Sequence, residues 1–240
     1  VTAIDNHSSA HVNHRNKNDG KAMSNVGIEV KHTSATINNR VLFEDLSFCV
    51  ATGEILTIMG PSGTGKSTLL AFLSGTLADD VRAQGKIFLH GQDITEQPPE
   101  TRKIGVLFQD ALLFPHLSVG ENLGFGLTSK IRGSERKDRI ETALQDAGLA
   151  GYSKKDPATL SGGERARVAL MRTLLAEPDA ILLDEPFSKL DTTLRQQMRE
   201  FTFAEIIDRN LPCIMVTHDQ EDAKAASGKI LNLENLSQSN

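Results

Sequence analysis

No stretch of this 240-residue chain approaches the roughly 18 consecutive apolar residues that a membrane-spanning helix requires. Any role at a bilayer is therefore expected to be played from its side. The first residues are polar, without the charged cap and apolar core of a secretory leader. Basic residues are not in excess: 26 Lys and Arg stand against 31 Asp and Glu, a formal net charge of -5, which gives no expectation of nucleic-acid binding. Cysteine occurs only at Cys49 and Cys213, with no CxxC pair and no His at ligand spacing. Both lie in apolar runs and are expected to be reduced core thiols of a cytosolic protein. Large apolar residues are almost missing from residues 1–25, a segment rich in Asn, Ser and His that is expected to be a disordered tail. His7, His11 and His14 there could chelate a metal weakly; a solvated or vector-derived segment is the simpler reading.

From Val26 to the end, short apolar runs alternate with helical stretches, which predicts one α/β domain over 26–240. Ile55 to Met59, Ala180 to Leu183 and Cys213 to Val216 are apolar without alternation, the pattern of parallel strands buried on both faces. Gly85 to Leu89, Ile104 to Phe108 and Lys229 to Leu233 read as further strands. Residues 110–160 read instead as an inserted helical subdomain. Ser118 and Glu121 make a helix-start signal there, and Ile140, Ala143, Leu144 and Ala147 form an apolar stripe before Gly148.

Gly60-Pro61-Ser62-Gly63-Thr64-Gly65-Lys66-Ser67 fits GxxxxGK[ST] between a predicted strand and a predicted helix from Lys66 to Ser74. Glycines let successive N–H groups turn toward a phosphate, and the helix start adds about half a positive charge there. Lys66 is expected to contact the β- and γ-phosphates and Ser67 to offer its hydroxyl to Mg²⁺. Ile181-Leu182-Leu183-Asp184-Glu185 ends a buried strand in two carboxylates, which need a cation or a solvated cleft. Asp184 is expected to hold Mg²⁺ or its water, and Glu185 to polarise the water attacking a γ-phosphate. Leu160-Ser161-Gly162-Gly163-Glu164 precedes an amphipathic helix carrying Val168, Met171 and Leu175. Ser161 and Glu164 satisfy a capping box without any nucleotide. Yet two glycines in a first turn cost about 0.8 to 1 kcal/mol each relative to Ala, and they make better sense if an anion must approach bare backbone.

The ordered series GPSGTGKS at 60–67, Gln109 in LFQDALLFPHLSV, LSGGE at 160–164, ILLDEP at 181–186, SKLD at 188–191 and His218 in VTHD resembles the ABC-type ATPases, and within them the bacterial importer subunits. That resemblance implies a P-loop NTPase of the ABC type: a mostly parallel core sheet, an antiparallel β subdomain and an inserted α-helical subdomain. It implies an ATPase using ATP and Mg²⁺ on the cytoplasmic face of the inner membrane, coupled to permease subunits and, through them, to a secreted or periplasmic substrate-binding protein. It further implies a head-to-tail homodimer in which each ATP lies between Lys66 of one chain and Ser161 and Gly163 of the other. Gln109 would sense Mg²⁺ and the attacking water, Asp191 would communicate across the dimer, and His218 would hold the γ-phosphate alongside Glu185. Thr68, next after the phosphate loop, joins the nucleotide-binding set.

Two positions depart from the family. Its fifth signature residue is usually Gln, and Glu164 puts a carboxylate near the ATP phosphates, a repulsion of about 0.5 to 2 kcal/mol at ~8 Å. Ile37 stands where the family places an aromatic ring on adenine, which predicts weak discrimination of ATP from GTP. A soluble ABC ATPase of a non-transport assembly system is the alternative. A module that binds nucleotide without hydrolysing it is disfavoured by the presence of Glu185 and His218.

Overall fold

The computed structural model describes residues 25–233; residues 1–24 of the expected disordered tail, with its three histidines, lie outside them, whereas Asn25, also assigned to that tail, is hydrogen-bonded to Thr52. Strand β1 (Val26–Ile37) turns back on β2 (Arg40–Ala51) through Asn38 and Asn39, whose φ values of 48° and 63° fit the two-residue turn favoured by the twist of a hairpin. Strand β3 is Ile55–Met59, and β4 (Val81–Leu89) and β5 (Gln92–Asp93) complete an antiparallel sheet of order β2-β1-β4-β5. Strands β6 (Ile104–Leu107), β7 (Ala180–Asp184), β8 (Cys213–Val216) and β9 (Ile230–Asn232) form, with β3, a second sheet of order β6-β7-β8-β3-β9. Every pairing in this second sheet is parallel.

The apolar run of β7 now has a physical reason. Ile181 and Leu183 pack on one side with the helices of the second half of the chain, while Ala180 and Leu182 pack on the other with the antiparallel sheet. The helices are α1 (Lys66–Ser74), α2 (Val119–Gly126), α3 (Gly133–Asp146), α4 (Gly162–Leu175), α5 (Thr192–Asp208) and α6 (Gln220–Ala225). Between β6 and β7, helix α2 starts in the expected capping box. The Glu121 N–H donates to Ser118 Oγ at 3.3 Å, and the Ser118 N–H donates to Glu121 Oε2 at 2.7 Å. Residues 110–118 hold no helix.

One expectation fails. Cys213 is buried in β8, but Cys49 is exposed, because alternation along the outer strand β2 turns Val50 inward and Cys49 outward. The sequence also gave no warning of Arg102, which is buried at 6% exposure. Its guanidinium donates to Phe72 O and Leu73 O at the last turn of α1, at 2.8 and 2.9 Å, and to Thr95 O and Gln97 O at 2.6 and 2.7 Å. A cation at a helix C-terminus is favoured by the dipole.

Candidate nucleotide site

Four neighbouring strands of the parallel sheet deliver the site from their carboxyl ends, where ligands bind in open α/β sheets. Gln109 follows β6, Asp184 and Glu185 end β7, His218 follows β8, and the glycine-rich loop Gly60–Gly65 follows β3. The loop leads into α1, whose N-cap Gly65 has φ of 91°, no side-chain cap and no acidic residue in the first turn. Its N–H groups and the positive end of its dipole are thus left for an anion. Gly65 is also sterically required, since a Cβ there would sit 2.9 Å from Leu42 Cβ and 3.0 Å from the Phe43 ring.

Lys66 is buried at 7% exposure, and its ammonium donates to Gly60 O and Pro61 O, each at 2.7 Å. A cleft of ≈ 400 Å³ opens over this loop, lined by Ser62, Gly63, Gly65, Lys66, Ser67 and Thr68, by Glu185, and by Ile37, Arg40 and Leu42 from the hairpin. Glu185 adopts a φ of 46°, a left-handed conformation uncommon outside glycine. It is held by its own N–H donating to Val216 O at 2.9 Å and by Ser188 Oγ donating to its carbonyl at 2.9 Å. Its carboxylate lies 3.1 Å from His218 Nδ1. Gln109 does not line the cleft; its Nε2 donates to Ser188 Oγ at 3.0 Å and so reaches Glu185 through one hydroxyl. Asp184 is half-buried, and burial first, then the neighbouring Glu185, raises its pKa against the pull of Lys66.

Ser161, Gly162, Gly163 and Glu164 lie elsewhere. They open α4 with both halves of a capping box formed, the Glu164 N–H to Ser161 Oγ at 3.3 Å and the Ser161 N–H to Glu164 Oε2 at 2.7 Å. Backbone N–H and hydroxyl of Ser161 hold the Glu164 carboxyl below its ordinary range, helped by Tyr152 and Lys155 against slight burial. A Cβ on Gly163 would first meet the Leu194 side chain, at 3.1 Å. Asp191 caps α5, accepting from the Thr193 and Leu194 N–H groups at 3.1 Å each.

Three residues of this region escaped sequence reasoning. Arg40 joins Ile37 in the cleft wall, a placement that the Asn38-Asn39 turn could have suggested. Ser188 links Gln109 to Glu185. Arg195 on α5 donates to Phe187 O at 3.1 Å and Ser188 O at 3.3 Å while pairing with Asp219, next to His218.

A family model described as ABC transporter matches residues 43–188, which include the phosphate loop, the signature and the two carboxylates. The chain belongs to the ABC transporter family. It is of that family's ATP-binding kind, an ATPase. It is 47% identical over 198 residues to YnjD of Escherichia coli, described as an uncharacterised ABC transporter ATP-binding protein, covering 82% of this chain and 91% of that one. It is 38% identical over 205 residues to the Fe(3+) ions import ATP-binding protein FbpC 1 of Pectobacterium atrosepticum, covering 85% of this chain and 57% of that one. It is 38% identical over 212 residues to the spermidine/putrescine import ATP-binding protein PotA of Acetivibrio thermocellus, covering 88% and 59%. The chain thus spans less than two thirds of these two import proteins. Among the described residues of this ABC protein, no helix is long and apolar enough to cross a membrane.

Proposed function

We propose that this ABC ATPase powers a bacterial importer from the cytoplasmic face of the inner membrane, through permease subunits that receive solute from a secreted or periplasmic binding protein. The observation that carries the reading is His218 in contact with the Glu185 carboxylate, beside a cleft walled by Lys66 and Ser67. The printed activities of its import relatives support the direction of transport.

ATP lies with its phosphates against residues 60–68, and Lys66 exchanges its two carbonyl partners for β- and γ-phosphate oxygens. Glu185 takes a proton from the attacking water as the water oxygen bonds to the γ-phosphorus and the bond to the β–γ bridging oxygen breaks. His218 holds the γ-phosphate and that water. Gln109, acting through Ser188 on the Glu185 backbone, connects the reaction to α2 and α3. Phe125 on α2 is 66% exposed and is offered as a permease contact. Mg²⁺ fits Ser67 and Asp184: a half-buried carboxylate with a raised pKa is relieved by a cation beside it. Mg²⁺ takes one or two protein ligands plus phosphates, so no larger ligand cluster is needed. Bound there, it would neutralise charge on the phosphate oxygens.

Ser161 is exposed and lies outside the cleft of its own chain, which supports a head-to-tail homodimer: Ser161 and Gly163 of the partner subunit close over the ATP held by Lys66. Asp191 communicates between the protomers. The Glu185→Gln variant tests the reading. Turnover is expected to fall about 10²- to 10⁴-fold with ATP binding kept, and the variant to elute as a dimer with ATP and a monomer without. Hydrolysis at the unsubstituted rate overturns it.

A further inference from the structure

Ile37 and Arg40 are directly paired across the Asn38-Asn39 turn. Directly opposed residues of a hairpin send their side chains to the same face, with Cβ atoms about 4.5 to 5.5 Å apart. That face is a wall of the cleft, because both residues line it together with Leu42. Among the described residues, no aromatic side chain lines the cleft. The nearest ring on this hairpin, Phe43, is fully buried and packed toward Gly65, so it presents no face to a ligand. Arg40, in contrast, is exposed.

We propose that Arg40 holds the nucleobase of the bound triphosphate, its guanidinium stacked flat on the purine while Ile37 packs against the ring edge. The proposal rests on the cleft being the nucleotide site. A guanidinium is planar, delocalised and weakly hydrated, and it stays charged at every working pH, so it stacks on π-systems where an ammonium acts as a point charge. The phosphate end of the cleft already has Lys66 and the open start of α1, whereas the hairpin wall offers a base no flat partner except Arg40. Every purine has a π-face, so this contact grips adenine and guanine alike.

Dissociation constants of ATP, GTP and ribose 5-triphosphate, which lacks a base, measured calorimetrically for the unsubstituted protein, Arg40→Ala and Arg40→Tyr, test the proposal. Arg40→Ala is expected to weaken ATP and GTP equally, by about 2- to 5-fold for a cation–π contact at an exposed site. Ribose 5-triphosphate affinity stays unchanged, and Arg40→Tyr restores ATP binding. Equal loss of ATP and ribose 5-triphosphate in Arg40→Ala puts the guanidinium on a phosphate and overturns the proposal, as does unchanged ATP affinity. Lys66→Ala should lose ATP and ribose 5-triphosphate together. If the unsubstituted protein binds neither, the cleft is not the nucleotide site and the underlying reading falls first.

Discussion

Helices α1 and α4 both open on glycine beside a hydroxyl residue, and they begin in opposite ways. Helix α1 starts at a left-handed Gly65 with no side-chain cap and no acidic group, whereas α4 starts at Ser161 inside a complete capping box that brings Glu164 into its first turn. The difference follows from what each end can rely upon. The start of α1 adjoins a cleft in its own chain, lined also by Lys66 and Ser67, so its N–H groups can be left open for an anion. Ser161, Gly162 and Gly163 at the start of α4 do not line that cleft, so this helix end has to be satisfied by other means. A capping box satisfies it, but sets a carboxylate where a partner's nucleotide would have to approach. Because that carboxylate turns back onto the Ser161 N–H and lies near Lys155, its repulsion should fall toward the lower end of the 0.5 to 2 kcal/mol expected from charge and distance alone, about 0.5 kcal/mol.

Substitutions at these two helix starts should separate them. Gly65→Ala combines a positive φ with a Cβ pressed against Leu42 and Phe43, so a loss of about 2 to 5 kcal/mol is expected, together with ATP binding. A thermal melt and a binding titration read both. Gly163→Ala first meets the flexible end of Leu194 and gains up to about 1 kcal/mol of helix propensity. Its Tm should therefore not fall, and turnover should stay near the unsubstituted rate, because the new methyl points into Leu194 of its own chain and leaves the outer face of this turn bare. A Gly163→Ala protein that melts early, or a Gly65→Ala protein that melts normally, would break the contrast.

Ser161→Ala removes a cap worth about 1 kcal/mol, expected as a Tm decrease of about 2 to 4 °C. Ser67→Ala, in a helix without a side-chain cap, should leave Tm unchanged and act only on nucleotide and metal binding. Glu164→Gln should have the smallest effect at neutral pH, because Gln also completes a capping box; apparent ATP affinity is expected to tighten by about twofold or less. In acid the same variant differs more clearly. The folded Glu164 pKa is depressed, so its contribution is present above the ordinary Glu value of about 4.3 and is lost as pH falls through the folded value. Melting curves of the Gln variant should show a shallower acid limb.

What was legible in the sequence was local. The phosphate loop, the carboxylate pair ending β7 and both capping boxes each occupy a few consecutive residues, so spacing alone specifies their geometry. The buried runs of β3, β7 and β8 were legible because a strand covered on both faces leaves no alternation to confuse. The beginning of β4 was not, since Val81 to Gln84 are only half covered and carry Arg and Gln. Cys49 was misjudged because an apolar neighbourhood does not say which face of an edge strand a side chain takes. Contacts between distant segments were invisible as well: Ser188 with Gln109 across 79 positions, and Arg195 with Asp219 across 24.

Arg102 gives α1 a mechanical character. Its guanidinium fastens the last carbonyls of that helix to the Thr95–Gln97 segment, and burial lowers its pKa without removing the charge, Glu96 acting in the opposite sense. A strut anchored at its far end cannot absorb a pull by sliding lengthwise. Force applied along α1 at Lys66 therefore reaches the Thr95–Gln97 segment, and from there β4, since the Thr95 hydroxyl accepts from the Ile87 N–H at 3.0 Å.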